Sequence, residues 1–293
     1  MNHRLSDLIE NGQRAACSPS TRPLATGLLA SVLLLAGCGS ASDDDRTASG
    51  NAMQEAPSAI ETAVDSEAAP AEGNRGGTSD ASNALTTDDV AFLHGLGLIR
   101  GHLHAGHALY VNGYANMAAT HMKHPRDELY AGLVPAIEAR GFQPFDDCLT
   151  ALKDAVESGA DGDEVTGAWR EIDEAIETIE RGVNASAADE LRAVADMLET
   201  AAEEYAIGVV DGVVDNEHEY QDAWGFMQIS LERVGQIAAT TDVERSATAQ
   251  AGVIISSLAD LWPELAPVEV PGAEADRIAG AADQLRALAD GLS

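Results

Sequence analysis

From Thr86 to Ser293 apolar residues recur at intervals of three and four, and stretches alternating every second residue are scarce. That interval matches the 3.6-residue turn of a helix, whereas a half-buried strand repeats every two residues. Asp161-Gly162, Asp211-Gly212, Pro263 and Pro271-Gly272 interrupt the pattern and mark turns. The expected fold is therefore all-α, a bundle of about eight or nine helices built from antiparallel hairpins, with no strand. The first helix opens on Thr86-Thr87-Asp88-Asp89 and runs through Phe92, Leu96, Ile99, Leu103 and Tyr110 to Gly113. A short helix from Ala115 is expected to end at His124-Pro125, with Pro125 starting the next one, which continues to Gly141. Later helices are expected over 144–158, 163–181, 187–210, 217–239, 242–261 and 273–292.

Upstream of Thr86 the composition is different. Residues 39–85 are rich in Ser, Ala, Gly, Asp and Glu and nearly devoid of large apolar side chains. Such a segment buries too little surface to offset its ordering entropy, so it reads as a disordered acidic tether. Before it, Arg14 and Arg22 precede an apolar run from Leu24 to Ala36. The run has the length of a signal-peptide core and falls short of the roughly 20 residues that span a bilayer. Leu35-Ala36-Gly37-Cys38 resembles the lipobox of bacterial lipoproteins. The resemblance implies a signal peptide over 1–37, cleavage before Cys38 and lipidation of Cys38. With the composition of the rest of the chain, this divides it into a tether over 38–85 and a helical domain over 86–293. Gly39, where Asp would mark inner-membrane retention, implies the outer membrane with the domain facing the periplasm. An ordinary secretory signal that happens to contain a cysteine is the alternative. With Cys17 in the leader and Cys38 acylated, the domain is expected to be held by its core without a disulfide.

The chain carries 17 Lys and Arg against 49 Asp and Glu, a formal net charge of −32. Nucleic acid and anionic membrane surfaces are polyanions and make poor partners for it. A cation or a basic protein suits such a surface, and so does plain solvation.

Six of the eight histidines fall between positions 94 and 124: His94, His102, His104, His107, His121 and His124. Imidazole is a common transition-metal ligand. At 100° per residue His104 and His107 share a face and could share one ion, while His102 points elsewhere; His121 and His124 form a second pair. His124 with Pro125 and Glu128 also reads as a helix start, and His94 as a partly buried neighbour of Leu93 and Leu98. Gly95, Gly97, Gly101 and Gly106 each cost up to about 1 kcal/mol in a helix interior. Close approach of a neighbouring helix along Gly97-x-x-x-Gly101 would compensate.

Glu203-Glu204-Tyr205-x-x-Gly208-Val209-x-Asp211-Gly212 leads into Asn216-x-x-Glu219-Tyr220-x-Asp222-x-x-x-Phe226. This stretch resembles the extracytoplasmic helical segment of Ftr-type iron permeases. The resemblance implies a helical module of an iron- or metal-handling system. Their membrane helices are absent, so permease activity is not implied. From the residues themselves, Glu219 and Asp222 are one helical turn apart, and Glu203 could approach from the preceding helix. His102, His121, His124, Glu128, Glu219 and Asp222 are thus the candidate ligands of a transition metal such as iron, copper or zinc. Capping plus a solvated acidic face is the structural alternative for the acidic residues.

No Gly-x-Ser-x-Gly, phosphate loop or dinucleotide fingerprint is present, and Cys148 follows two acids that disfavour its thiolate. The expectation is a non-enzymatic, lipid-anchored envelope protein that binds a metal ion or assists its uptake, with a metal transporter or an envelope protein as partner. The rival is an envelope lipoprotein that binds a protein partner and keeps its histidines for structure.

Overall fold

The computed structural model describes residues 84–266, 272 and 274–293. The signal sequence, Cys38 and the tether up to residue 83 lie outside the described residues. Ala84 and Leu85 already belong to the fold: Leu85 packs against buried residues, and its carbonyl accepts a bond from Arg140 Nη1 at 2.8 Å.

Among the described residues the architecture is all-α with nine α-helices. They are α1 (Asp89–Val111), α2 (Ala115–His124), α3 (Ala131–Ala139), α4 (Asp146–Glu157), α5 (Gly162–Val183), α6 (Ala187–Gly208), α7 (Glu217–Gln236), α8 (Asp242–Ser256) and α9 (Ala275–Asp290). Starts are capped as the sequence suggests. Asp88 accepts from Val90 N at 2.8 Å, Asn216 accepts from His218 N at 3.1 Å, and Thr241 forms a capping box with Glu244.

Two expectations fail locally. Pro125 directly follows the last residue of α2, as expected, but it does not break the helical run. His124 keeps helical angles, and Pro125–Tyr130 forms a π-helical stretch that joins α2 to α3. The wider turn accommodates a residue with no N–H to donate, so the chain bends without breaking. The strand-free expectation also fails. Val209–Val210 pairs antiparallel with Val213–Val214. Asp211 and Gly212 both take positive φ, 53° and 79°, as a two-residue hairpin turn requires.

Helices α6 to α9 bury Leu198, Tyr205, Tyr220, Phe226, Ile255 and Leu285 in one core. A second core gathers Phe92, Leu96, Ile99, Met122, Leu149 and Ile176 from α1, α2, α4 and α5. Helix α1 serves both, because Leu98 on its other side packs against the first. Cys148 is buried in the second core and is disulfide-bonded, against the expectation of a domain without one; its partner lies outside the described residues.

The contact between α1 and α7 is a backbone contact. A side chain at Gly225 would run into the carbonyl of Gly101, and one at Gly101 into Phe226. The compensation expected for glycines in the first helix is therefore real. Gly106 does the same for α2, lying against Met122 and the Cβ of His121.

An ion-pair network crosses the same junction. Arg100 on α1 is fully buried, and its guanidinium donates to Asp173 (2.9 Å), Glu180 (2.9 Å) and Glu232 (2.6 Å). Arg233 on α7 donates to the Leu93 carbonyl at 2.8 Å and to Glu190 at 2.9 Å. These contacts fasten α1 to α5, α6 and α7.

Candidate metal centre

The close approach at Gly101 and Gly225 brings the next turns of α1 and α7 together. His102 Nδ1 lies 2.6 Å from Asp222 Oδ1, and His121 Nδ1 of α2 lies 2.8 Å from the same oxygen. All three residues are buried. His218, one turn before Asp222, places its Nδ1 3.3 Å from Asp222 Oδ2 and 3.5 Å from Glu219 Oε2. Its ring stacks on His121 with centroids 4.4 Å apart. His124 stands edge-on to both His102 (4.9 Å) and His218 (5.9 Å). Glu204 of α6, half-buried, lies close enough to this group for Glu219 and Asp222 to disfavour its charge.

The electrostatics divide this group in two. Burial holds His102 below the usual histidine range even though Asp222 favours its charged form. Asp222 goes the other way: burial opposes its charge, but the two imidazoles hold its carboxyl well below the usual carboxylate range. Glu204 is pushed up to about 8, first by burial and then by Glu219 and the charge on Asp222. Glu219 is correspondingly lowered, chiefly by its contact with His218. For His218, burial works against protonation, but the contacts with Glu219, Asp222 and Glu204 outweigh it and raise its value.

One hydrogen-bond chain constrains the tautomers. The Gln221 side-chain amide donates to the Leu265 carbonyl at 3.1 Å, so its Oε1 is the atom facing His121 Nε2 at 2.8 Å. A carbonyl oxygen only accepts, so Nε2 carries a proton. In the neutral ring Nδ1 is then a lone pair, and it faces the carboxylate oxygen of Asp222 at 2.8 Å. Two acceptors at that separation need a positive centre between them, either a second proton or a metal ion. An outward N–H held by an amide oxygen is the usual support of a metal-ligating imidazole.

The other candidates fall elsewhere. Glu128 is exposed and meets only His124, 3.2 Å away, one turn earlier on the continuous helix. It does not reach the buried group, because the unbroken helix across Pro125 leaves it on the outer face. Glu203 is also exposed, and its neighbour Glu204 is the residue that approaches. The sequence holds a signal for this: Glu204 lies one turn before Gly208, where α6 comes against the backbone of Tyr220. His218, likewise a turn from Asp222, was legible by the same spacing. His104 and His107 pack on tryptophans. His107 stacks on Trp169 at 4.2 Å and meets Thr166 Oγ1 at 3.0 Å, while His104 packs between Trp169 and Trp224. His94 meets Thr200 Oγ1 at 3.1 Å. A further acidic group, Asp173, Glu177 and Glu232, already holds the Arg100 guanidinium.

Among the described residues no helix is long and apolar enough to cross a membrane. No curated protein and no solved structure matches the chain. Residues 180–292 match the model of the iron permease-associated 4-helix bundle domain, a span that begins near the end of α5 and takes in α6 to α9. It supplies Glu204, His218, Glu219 and Asp222, and His102, His121 and His124 come from the helices before it. The resemblance read from residues 203–226 is thus borne out over a longer span: this part of the chain is similar to a domain associated with iron permeases.

Proposed function

We propose that this protein is a non-catalytic, lipid-anchored envelope component that binds a divalent transition-metal ion, iron before others, and assists its uptake with a metal transporter as partner. The observation that carries the reading is the convergence of His121 Nδ1, at 2.8 Å, and His102 Nδ1, at 2.6 Å, on the buried Asp222 Oδ1, with the outward nitrogen of His121 held by the Gln221 amide oxygen. With His102 Nδ1 at the same oxygen, the inner set is two imidazoles and one carboxylate. Nitrogen and hard oxygen without thiolate suit Fe(II), Zn(II) or Mn(II) better than Cu(I). Within this set, the similarity to an iron permease-associated domain favours iron. The lipobox-like Leu35-Ala36-Gly37-Cys38 supports the anchor.

The test is metal analysis of the purified full chain, with thermal-shift titrations of Fe(II), Zn(II), Mn(II) and Cu(II). Saturable binding accompanied by a rise in Tm is expected, since a ligand specific to the folded state stabilises it by mass action. Absence of binding by all four ions would leave the histidines structural and favour a partner-binding lipoprotein.

A further inference from the structure

The inner set uses only half of what converges at Asp222. Its Oδ1 faces His102 and His121, whereas its Oδ2 faces His218 Nδ1 at 3.3 Å. Outside that oxygen lie Glu219, 3.5 Å from the same imidazole nitrogen, and beyond it the half-buried Glu204 of α6. Donor atoms of His218, Glu219 and Asp222 all lie within 4.8 Å of one another, the same closeness found for His102, His121 and Asp222. The His218 ring contacts these carboxylates through Nδ1; its Nε2, on the far side of the ring, is buried without a hydrogen-bond partner.

We infer that the centre holds two divalent cations side by side, bridged by the Asp222 carboxylate. The inner ion is taken by His102, His121 and Asp222 Oδ1, and the outer ion by His218, Glu219, Glu204 and Asp222 Oδ2. This rests on the metal-binding reading above and adds to it the number of ions and their shared ligand. Carboxylate-bridged ions in helical bundles are held by side chains from facing helices, with separations of about 3.5–4 Å. Here α1 and α2 supply the inner imidazoles, α6 supplies Glu204 and α7 supplies the remaining outer ligands together with the bridge. The outer ion lies on the more exposed side, since His218 and Glu219 retain about a quarter of their side-chain exposure while Asp222 retains almost none. Loading and release then proceed through the outer position.

Native mass spectrometry and electron paramagnetic resonance of the full chain titrated with Mn(II) test this. The wild type should bind two Mn(II) and show the broadened signal of a spin-coupled pair. Glu204→Gln/Glu219→Gln should bind one Mn(II) with the sharp signal of an isolated ion, because the inner ligands remain. Asp222→Asn should abolish the coupled signal. One uncoupled ion in the saturated wild type would overturn the pair and leave the single-site reading intact. Two uncoupled ions, or a second equivalent indifferent to Glu204→Gln/Glu219→Gln, would also overturn it. No bound Mn(II), Fe(II) or Zn(II) at all would remove both readings.

Discussion

The carbonyl oxygen of Gly101 occupies the space that a side chain at Gly225 would need. One turn or less from each glycine stand His102 and Asp222, whose side chains meet at 2.6 Å. The helix contact and the candidate centre are one construction. Gly225→Ala should therefore cost about 1–3 kcal/mol or more of stability, since the clashing atom is backbone and cannot swing away. It should also weaken metal binding by separating α1 from α7. Denaturant unfolding and metal titration of the variant measure both effects, and a stable variant with wild-type affinity would show that the approach is dispensable.

His121→Gln is expected to abolish metal-induced stabilisation, and His121→Gln/His124→Gln likewise, while leaving the metal-free Tm nearly unchanged. Gln can still hydrogen-bond but is a poor transition-metal ligand, and linkage acts only on the bound state. Equal loss of Tm with and without metal would mark these histidines as structural.

Arg100→Met should be among the most destabilising single changes, at about 3–5 kcal/mol, because it leaves Glu180 and Asp173 facing one another without their guanidinium. Chemical denaturation gives the value directly. A loss below about 1 kcal/mol would mean that water or Arg233 replaces the missing charge.

The metal-free domain should lose stability in mild acid through His104. Burial, helped by His107 and Arg100, lowers His104 to about 4 from its usual 6.5. Between those values the unfolded chain takes up a proton that the folded chain refuses. The histidine's contribution is whole above pH 6.5 and is lost as pH falls towards 4, by up to about 1.4 kcal/mol per pH unit. His104→Phe keeps an aromatic ring between Trp169 and Trp224 but does not titrate, so its stability should fall less steeply over pH 6.5–4. Parallel profiles for wild type and variant would refute the assignment.

Cys38→Ser should eliminate lipid labelling and release the protein from membranes. The sequence offers Cys148 only Cys17 and Cys38 as disulfide partners. Mass spectrometry of the mature chain therefore separates an acylated Cys38 from a disulfide-linked one. Membrane association that survives Cys38→Ser would point to another anchor.

The sequence alone determined that the domain is helical, where most helices begin, and that glycines in the first helix mark a close neighbour. Each follows from signals within a few residues of chain: apolar spacing, caps, and the cost of glycine in a helix. Spacing also put Asp222 and Glu219 one turn apart and singled out His102 and His121. The outcome at Pro125 depended on more, because a proline allows either a new start or a widened turn, and packing of Tyr130 and Leu133 into the second core goes with the latter. The packing of His104 and His107 on tryptophans rather than on each other was likewise beyond the sequence. His102 is 120 residues from Asp222, and His121 is 101. Periodicity gives the face of each helix but not its rotation and depth against another; those are set by which backbones can touch, and here Gly101 and Gly225 decided it.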